Sequence, residues 1–97
     1  METITNERLN KYFAVTREAL ALAQQSGNRH PELTEERADF LDMIERYSND
    51  AKHFEKKGDK VNAFAALNYA HGWLDAGARL GLFDVHNSRL FTVDDKP

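Results

Sequence analysis

Residues 59–81 read DKVNAFAALNYAHGWLDAGARLG, a helix-length segment in which apolar residues occupy most of the circumference. A helix that is apolar on most sides must be covered by the rest of the chain or by a partner. At about 100° per residue, its small side chains fall into one sector. The members of this small sector are Ala63, Ala66, Ala70, Gly77 and Gly81. We therefore predict that this helix is the central element of the fold, and that Leu in place of Ala70 or Gly77 forces the helices apart.

The rest of the same helical wheel is divided between bulky apolar residues and a polar wedge. The bulky residues on the two sides of the small sector are Phe64, Leu67, Leu74 and Leu82 on one side, and Tyr69, Trp73 and Leu80 on the other. The polar wedge, opposite the small sector, consists of Asn68, His71, Asp75 and Arg79. This distribution predicts a helix that packs against two others and leaves little of its surface in water.

Two further helices are predicted, over residues 5–26 and 35–57. The first has apolar residues at spacings of three and four; Thr5 or Asn6 caps its start and Gly27 ends it in a left-handed conformation. Thr34 is expected to cap the second helix. Its apolar seam is Phe40, Ile44, Tyr47, Ala51 and Phe54. A tight Gly58-Asp59 turn, in which Asp59 caps the helix over 60–80, predicts that the last two helices are antiparallel.

These elements predict an all-α fold, a three-helix up-down-up bundle with a short C-terminal extension, in one domain over residues 1–97. The expected main core consists of Leu9, Phe13, Leu20, Phe40, Ile44, Tyr47, Phe54, Phe64, Leu67 and Leu74. In the tail, residues 82–97, apolar side chains alternate at Leu90, Phe91 and Val93. This pattern indicates either a strand-like segment laid on the bundle or a segment ordered by a partner, and we favour partial docking on the bundle.

Composition restricts the classes of function. The chain has no cysteine, which excludes disulfides and thiolate metal sites and favours a reducing, cytoplasmic location. No apolar run is long enough to span a membrane, and the polar N-terminus does not resemble a signal peptide. The 13 basic and 16 acidic residues give a net charge of −3, which disfavours nonspecific binding of nucleic acid. We expect a protein without membrane contact and without a cofactor.

The segments FLDMIERYSNDAKHFEKKGD and NAFAALNYAHGWLDAGARLGLFDV resemble a family of small archaeal proteins, domain of unknown function family 357. The resemblance covers about residues 5–85 and depends on core and turn residues, among them Phe54, Gly58, Asp59, Trp73 and Gly77. It implies a three-helix bundle and a cytoplasmic archaeal protein. It supplies no catalytic residues.

The polar wedge is the only candidate for chemistry on the third helix. His71 and Asp75 are i,i+4 neighbours and Arg79 follows at the next turn, so the set could bind an anion or hold a proton. An ordinary Asp75–Arg79 ion pair, with His71 at the edge of the core, is the favoured interpretation. His71 and Asp75 supply two metal ligands where three or four are needed. We therefore predict no catalytic residue and no metal site, and an enzyme using His71 and Asp75 would need a concave pocket at the wedge.

For function, the sequence favours a non-enzymatic protein-interaction or adaptor module, with a protein partner or self-association as a homodimer. Its expected interaction surface is Tyr69, Trp73, Leu90 and Phe91. The alternative is an RNA-associated protein, or a nuclease similar to the HEPN superfamily, some of whose members are ribonucleases that use an Arg and a His. Here Arg46 and His53 share one helix face, and a basic cluster follows them. The cluster consists of Lys52, Lys56, Lys57 and Lys60.

Overall fold

A computed structural model describes residues 3–93 of the chain. Within that range the protein folds into three helices: α1 (Asn6–Gln25), α2 (Thr34–Lys56) and α3 (Lys60–Leu80). A short 3₁₀ turn over Pro31–Leu33 precedes α2. The described residues contain no β-strand. The predicted all-α three-helix bundle is therefore confirmed.

Ring contacts fix the directions of α2 and α3. Phe40 contacts Trp73 and Tyr47 contacts Tyr69, each with ring centroids 4.9 Å apart. The later residue of α2 therefore contacts the earlier residue of α3. These two helices are antiparallel. Helix α1 runs parallel to α3, because Leu9 packs near the start of α3 whereas its later residues pack near the end. This is the predicted up-down-up order.

Helix ends match the sequence prediction at two places and differ at two. The hydroxyl of Thr5 accepts from Arg8 N (3.1 Å), and the Asp59 carboxylate accepts from Asn62 N (3.1 Å), so both caps form as expected. Thr34 does not cap α2, because its hydroxyl donates to the carbonyl of Pro31 in the 3₁₀ turn. Gly27 does not take a left-handed conformation, since α1 ends with an extended residue before it.

Helix α3 is the hub of the bundle, as predicted. It contacts both α1 and α2, whereas α1 and α2 touch each other little. The small sector is buried at Ala63, Ala66, Ala70 and Gly77. Of the expected core, Leu9, Ile44, Leu67 and Leu74 are fully buried. The other expected core residues, all half-buried against that core, are Phe13, Leu20, Phe40, Tyr47, Phe54 and Phe64.

The prediction that α3 leaves little surface in water is wrong on one side. Val61 is 68% exposed, Tyr69 63% and Leu80 53%, and Trp73 is only half-buried. Helices α1 and α2 cover most of the small sector and the side that carries Leu67 and Leu74, and Phe83 of the tail covers Gly77. No third element of residues 3–93 covers the opposite side. The second bulky flank of α3 is therefore open.

The chain after α3 docks closely on the bundle. Gly81 adopts a left-handed conformation (φ 82°) that ends α3 and turns the chain back. Phe83 is then fully buried, with its ring against Gly77, so Gly77 makes room for a ring rather than for another helix as predicted. Residues 94–97 of the predicted tail lie outside the described residues.

The end of the described tail also belongs to the core. Leu90 and Phe91 are 1% and 3% exposed and pack with residues of α1 and α3. The partial docking that we favoured is what the structure shows up to residue 93, as turns rather than as a strand. In this conformation Leu90 and Phe91 are not a surface that a partner can contact, because the bundle already covers them.

Arg37 connects three parts of the fold, and sequence reasoning did not identify it. From α2 its guanidinium donates to the carbonyls of Ala23 (3.1 Å), Ser26 (2.9 Å) and Leu82. It also lies 5.4 Å from the ring centroid of Phe83. The carbonyls at the end of α1 lack helical partners, and a cation is favourable at a helix C-terminus. Arg37 therefore supplies hydrogen-bond donors to the free carbonyl groups at the end of α1 and holds the start of the tail in place.

None of the helices formed by residues 3–93 combines the length and the apolar character that crossing a bilayer requires.

Candidate functional site

The structure divides the predicted polar wedge between two places. Asn68, His71 and Asp75 line a groove of about 470 Å³ between α1 and α3, together with Lys11 of α1. The His71 Nε2 and Asp75 Oδ1 atoms are 3.8 Å apart. Arg79 is exposed and does not line this groove. The wedge is therefore not a single triad.

Asp75 has a structural partner in the tail. Its carboxylate accepts hydrogen bonds from the backbone N–H of Thr92 (2.9 Å) and from the Thr92 hydroxyl (3.1 Å). The favoured Asp75–Arg79 ion pair does not form among residues 3–93. The Asp75 side chain therefore holds the tail against α3, which places Phe91 in the core beside it.

Residues 3–93 contain no group of three or more His, Asp or Glu side chains placed to share a metal ion. The concave pocket that an enzyme would need is present at His71 and Asp75. The Asp75 carboxylate already accepts two hydrogen bonds from Thr92, and the lining also contains Lys11, Tyr12 and Thr16. The acidic group of this groove therefore has a structural role.

The open side of α3 carries the three exposed large hydrophobic side chains of residues 3–93, which are Val61, Tyr69 and Leu80. We call it the outer face of α3, and its members are Val61, Ala65, Asn68, Tyr69, Gly72, Trp73, Ala76, Arg79 and Leu80. A shallow groove of about 530 Å³ occupies its centre. The residues that line this groove are Asn68, Tyr69, Gly72, Trp73 and Ala76. Arg79 is the only charged member of the face.

Helix α2 supports the aromatic residues of this face from behind. Tyr69 stacks on Tyr47 in a tilted arrangement, and Trp73 meets Phe40 edge to face. Such ring pairs contribute about 0.5–1.5 kcal/mol beyond the area that they bury. The two rings on the outer face are thus held in place by contacts within the chain itself.

Gly72 lies at the centre of the outer face with open space in front of it. A Cβ atom built at Gly72 would meet no atom within 4 Å. Glycine inside a helix is destabilising by roughly 0.5–1 kcal/mol relative to alanine. Packing within residues 3–93 gives no reason for glycine at this position, in contrast to Gly77.

The residues of the RNA-associated alternative lie on α2 and its neighbourhood. Arg46 forms an i,i+4 ion pair with Asp42 (2.9 Å) and is exposed, as is His53. Lys52 and Lys56 share a groove of about 510 Å³ with residues of α1. The other lining residues are Asn10, Phe13, Arg17 and Glu55. This groove combines three cations with one carboxylate.

With this geometry established, comparison with protein-family models defines the class. The chain matches the family described as "Protein of unknown function (DUF357)" over residues 11–83. The match covers most of the chain, from α1 through α2 and α3 to Phe83, so this protein belongs to that family. Neither the curated proteins nor the solved structures gave a match to the chain.

Sequence reasoning identified Tyr69 and Trp73 of the outer face but not the residues around them. The prediction described the sector opposite the small sector by its polar members alone. It therefore missed Val61, Gly72 and Ala76, which lie in that sector. The helical wheel contained the signal, since these residues lie within the same sector as Asn68 and Arg79. An apolar residue there, beside a glycine, indicates a second apolar face.

Proposed function

We propose that this protein is a non-enzymatic interaction module that binds its partner through the outer face of α3. The observation that carries the proposal is the exposure of Tyr69 at 63%, beside a half-buried Trp73 and the open Gly72. Tyrosine and tryptophan are enriched among the residues that dominate binding energy. An apolar face of this kind, with polar residues at its edge, is typical of a protein interaction site.

The shape of the face supports a helical partner. Its apolar residues follow the spacing of one helix side, and the groove beside Gly72 allows a close backbone approach. A helix laid along it would bury its own apolar face by the helix-in-groove mode of recognition. A cytoplasmic location is part of the proposal, supported by a sequence without cysteine.

Site-specific photo-cross-linking in the source cells tests this proposal. A photoreactive amino acid replaces Ala65 or Ala76 on the outer face, and Ala38, an exposed alanine of α2, in the matched control. We expect both outer-face positions to link to one protein, at residues on an apolar helix side, and the control not to do so. Introducing Tyr69→Glu should remove these products. Equal products from position 38, or products that Tyr69→Glu leaves unchanged, would refute the proposal.

The groove that combines Arg17, Lys52 and Lys56 supports the RNA-associated alternative. Three cations that converge from α1 and α2 could contact phosphates, although Glu55 and the net charge of −3 act against this. Binding to labelled RNA across a salt series discriminates the alternatives. The RNA alternative would be favoured if the affinity fell steeply with salt and if the double variant Lys52→Gln, Lys56→Gln no longer bound RNA. No binding at low salt would eliminate it.

A further inference from the structure

The outer face of α3 points to a second copy of this chain as its partner, and this inference rests on the proposed function. We propose that two copies associate through their α3 helices, which lie antiparallel to each other. The two-fold axis crosses each helix at the level between Ala70 and His71. The interaction is isologous, because both copies use the same surface.

The order of large and small residues along the face is self-complementary in this register. Tyr69 of one copy lies opposite Gly72 of the second copy, and the reverse contact forms by symmetry. Ala65 then lies opposite Ala76 of the second copy, and Val61 opposite Leu80. The exposed tyrosine therefore enters the space that Gly72 leaves open, which is the knob-into-hole geometry of packed helices.

This pairing explains Gly72. Its Cβ position is empty within the chain, so glycine there reduces helix stability without a compensating contact. Opposite a tyrosine of a second copy, the missing side chain becomes the space that the phenol ring fills. Val61, Tyr69 and Leu80, exposed in the single chain, would be covered together by the same contact.

Charge decides between the antiparallel and the parallel orientation. Arg79 is the only charged residue of the face, and no ion pair within residues 3–93 involves it. A parallel pair would place Arg79 beside Arg79 of the second copy. The antiparallel pair separates the two Arg79 side chains by 17 residues along the helix axis, which is about 26 Å. Like charges placed side by side at an interface cost free energy, so the antiparallel orientation is favoured.

The area of the face predicts a weak, reversible dimer. Helix α3 has 21 residues and is therefore about 31 Å long. With a contact width of about 10 Å, the helix supplies roughly 300 Å² per copy, and the flanking side chains add to it. Stable complexes bury about 800 Å² per partner. We therefore expect a dissociation constant in the micromolar range or weaker.

Sedimentation of the purified full chain between about 1 and 500 micromolar measures the association. We expect the mass to rise from one chain toward two. Ala76→Glu, which places a carboxylate opposite Ala65 of the second copy, should weaken the dimer by about tenfold or more. The matched control Ala38→Glu on α2 should leave it unchanged. A strict monomer at every concentration, or equal effects of the two substitutions, would overturn the inference.

Disulfide trapping tests the register, because the chain has no cysteine of its own. Mixing an Ala65→Cys chain with an Ala76→Cys chain should give a mixed disulfide, and each chain alone should give none. Positions 65 and 76 are about 16 Å apart along a helix, beyond the reach of a disulfide. Disulfides formed by each chain alone would indicate a parallel pair and overturn the inference.

The two proposals fail in different ways. A strict monomer that still gives the photo-cross-links from positions 65 and 76 to a different protein refutes the second copy and keeps the interaction module. A strict monomer without those products refutes both. Charge pairing adds an independent check: adding Ala65→Lys to the Ala76→Glu chain should restore the dimer, because position 65 lies opposite position 76 of the second copy. Failure of that restoration would overturn the proposed register.

Discussion

Gly72 and Gly77 lie five positions apart on the same helix and have opposite surroundings. At Gly77 a Cβ atom would lie 2.6 Å from Cδ2 of Phe83, inside the packed core. At Gly72 a Cβ atom would meet nothing within 4 Å. The inner glycine is required by the chain's own tail, and the outer glycine is not required by anything in the described chain. Glycine on one helix thus accommodates a packed ring at one position and has no packing role within residues 3–93 at the other.

The same contrast extends to the two sides of α3. On the inner side, Ala63 and Ala70 are fully buried and Leu74 contacts the core that the tail completes. On the outer side, Val61 and Leu80 are mostly in water although they are as apolar as the inner residues. The two sides of α3 differ in exposure because other parts of the chain cover only the inner side. Three variants test this explanation.

Phe83→Ala should have the largest effect. Removal of a fully buried ring leaves a cavity beside Gly77, and such substitutions typically reduce the free energy of unfolding by about 3–5 kcal/mol. Urea unfolding followed by circular dichroism measures the loss. The control is Phe13→Ala, which removes a half-buried ring and should have a smaller effect. An equal or smaller loss for Phe83→Ala would contradict its place in the core.

Gly77→Ala should destabilise the fold although alanine is the better helix former. The added Cβ overlaps the Phe83 ring, and overpacking of this kind costs about 1–3 kcal/mol. In a Phe83→Leu background the ring is absent, so the loss caused by Gly77→Ala should shrink. A double-mutant cycle in urea measures this coupling. Additive effects would show that the two residues do not contact each other.

Gly72→Ala should produce the smallest change, with the opposite sign. Because open space surrounds this position, the substitution should raise the free energy of unfolding of the single chain by roughly 0.5–1 kcal/mol through helix propensity alone. The measurement is made at low protein concentration, where association does not contribute. Destabilisation there would mean that Gly72 is constrained within the chain, and the contrast between the two glycines would disappear.

Much of the fold was predictable because it depends on local signals. The spacing of apolar residues located the three helices to within one residue at each end, and Thr5 and Asp59 cap α1 and α3 as the sequence indicates. The short connection at Gly58 determined that α2 and α3 are antiparallel. Gly27 and Thr34 were misassigned because the Arg37 guanidinium, from another helix, satisfies the end of α1, and a 3₁₀ turn precedes α2.

The candidate site was less predictable, because exposure depends on which elements cover a face. Tyr69 and Leu90 both belong to the expected interaction surface, yet the first is exposed and the second is buried where the returning tail docks on the bundle. His71 and Asp75 are neighbours by helical spacing, but the choice of Thr92 as the partner of Asp75 depends on residues 17 positions away. Contacts of this kind have no local period.

Local patterns of residues account for the helix number, the helix order and the central place of α3, since periodicity and capping act over one or two turns of chain. Three outcomes follow only from the packing of the folded chain: which side of α3 remains open, what Gly77 accommodates, and where Leu90 and Phe91 lie. These outcomes depend on how the tail folds back after Gly81 and on the hydrogen bonds that Arg37 donates to backbone carbonyls. Burial is a property of the packed chain, because a residue is covered by neighbours that are distant in sequence.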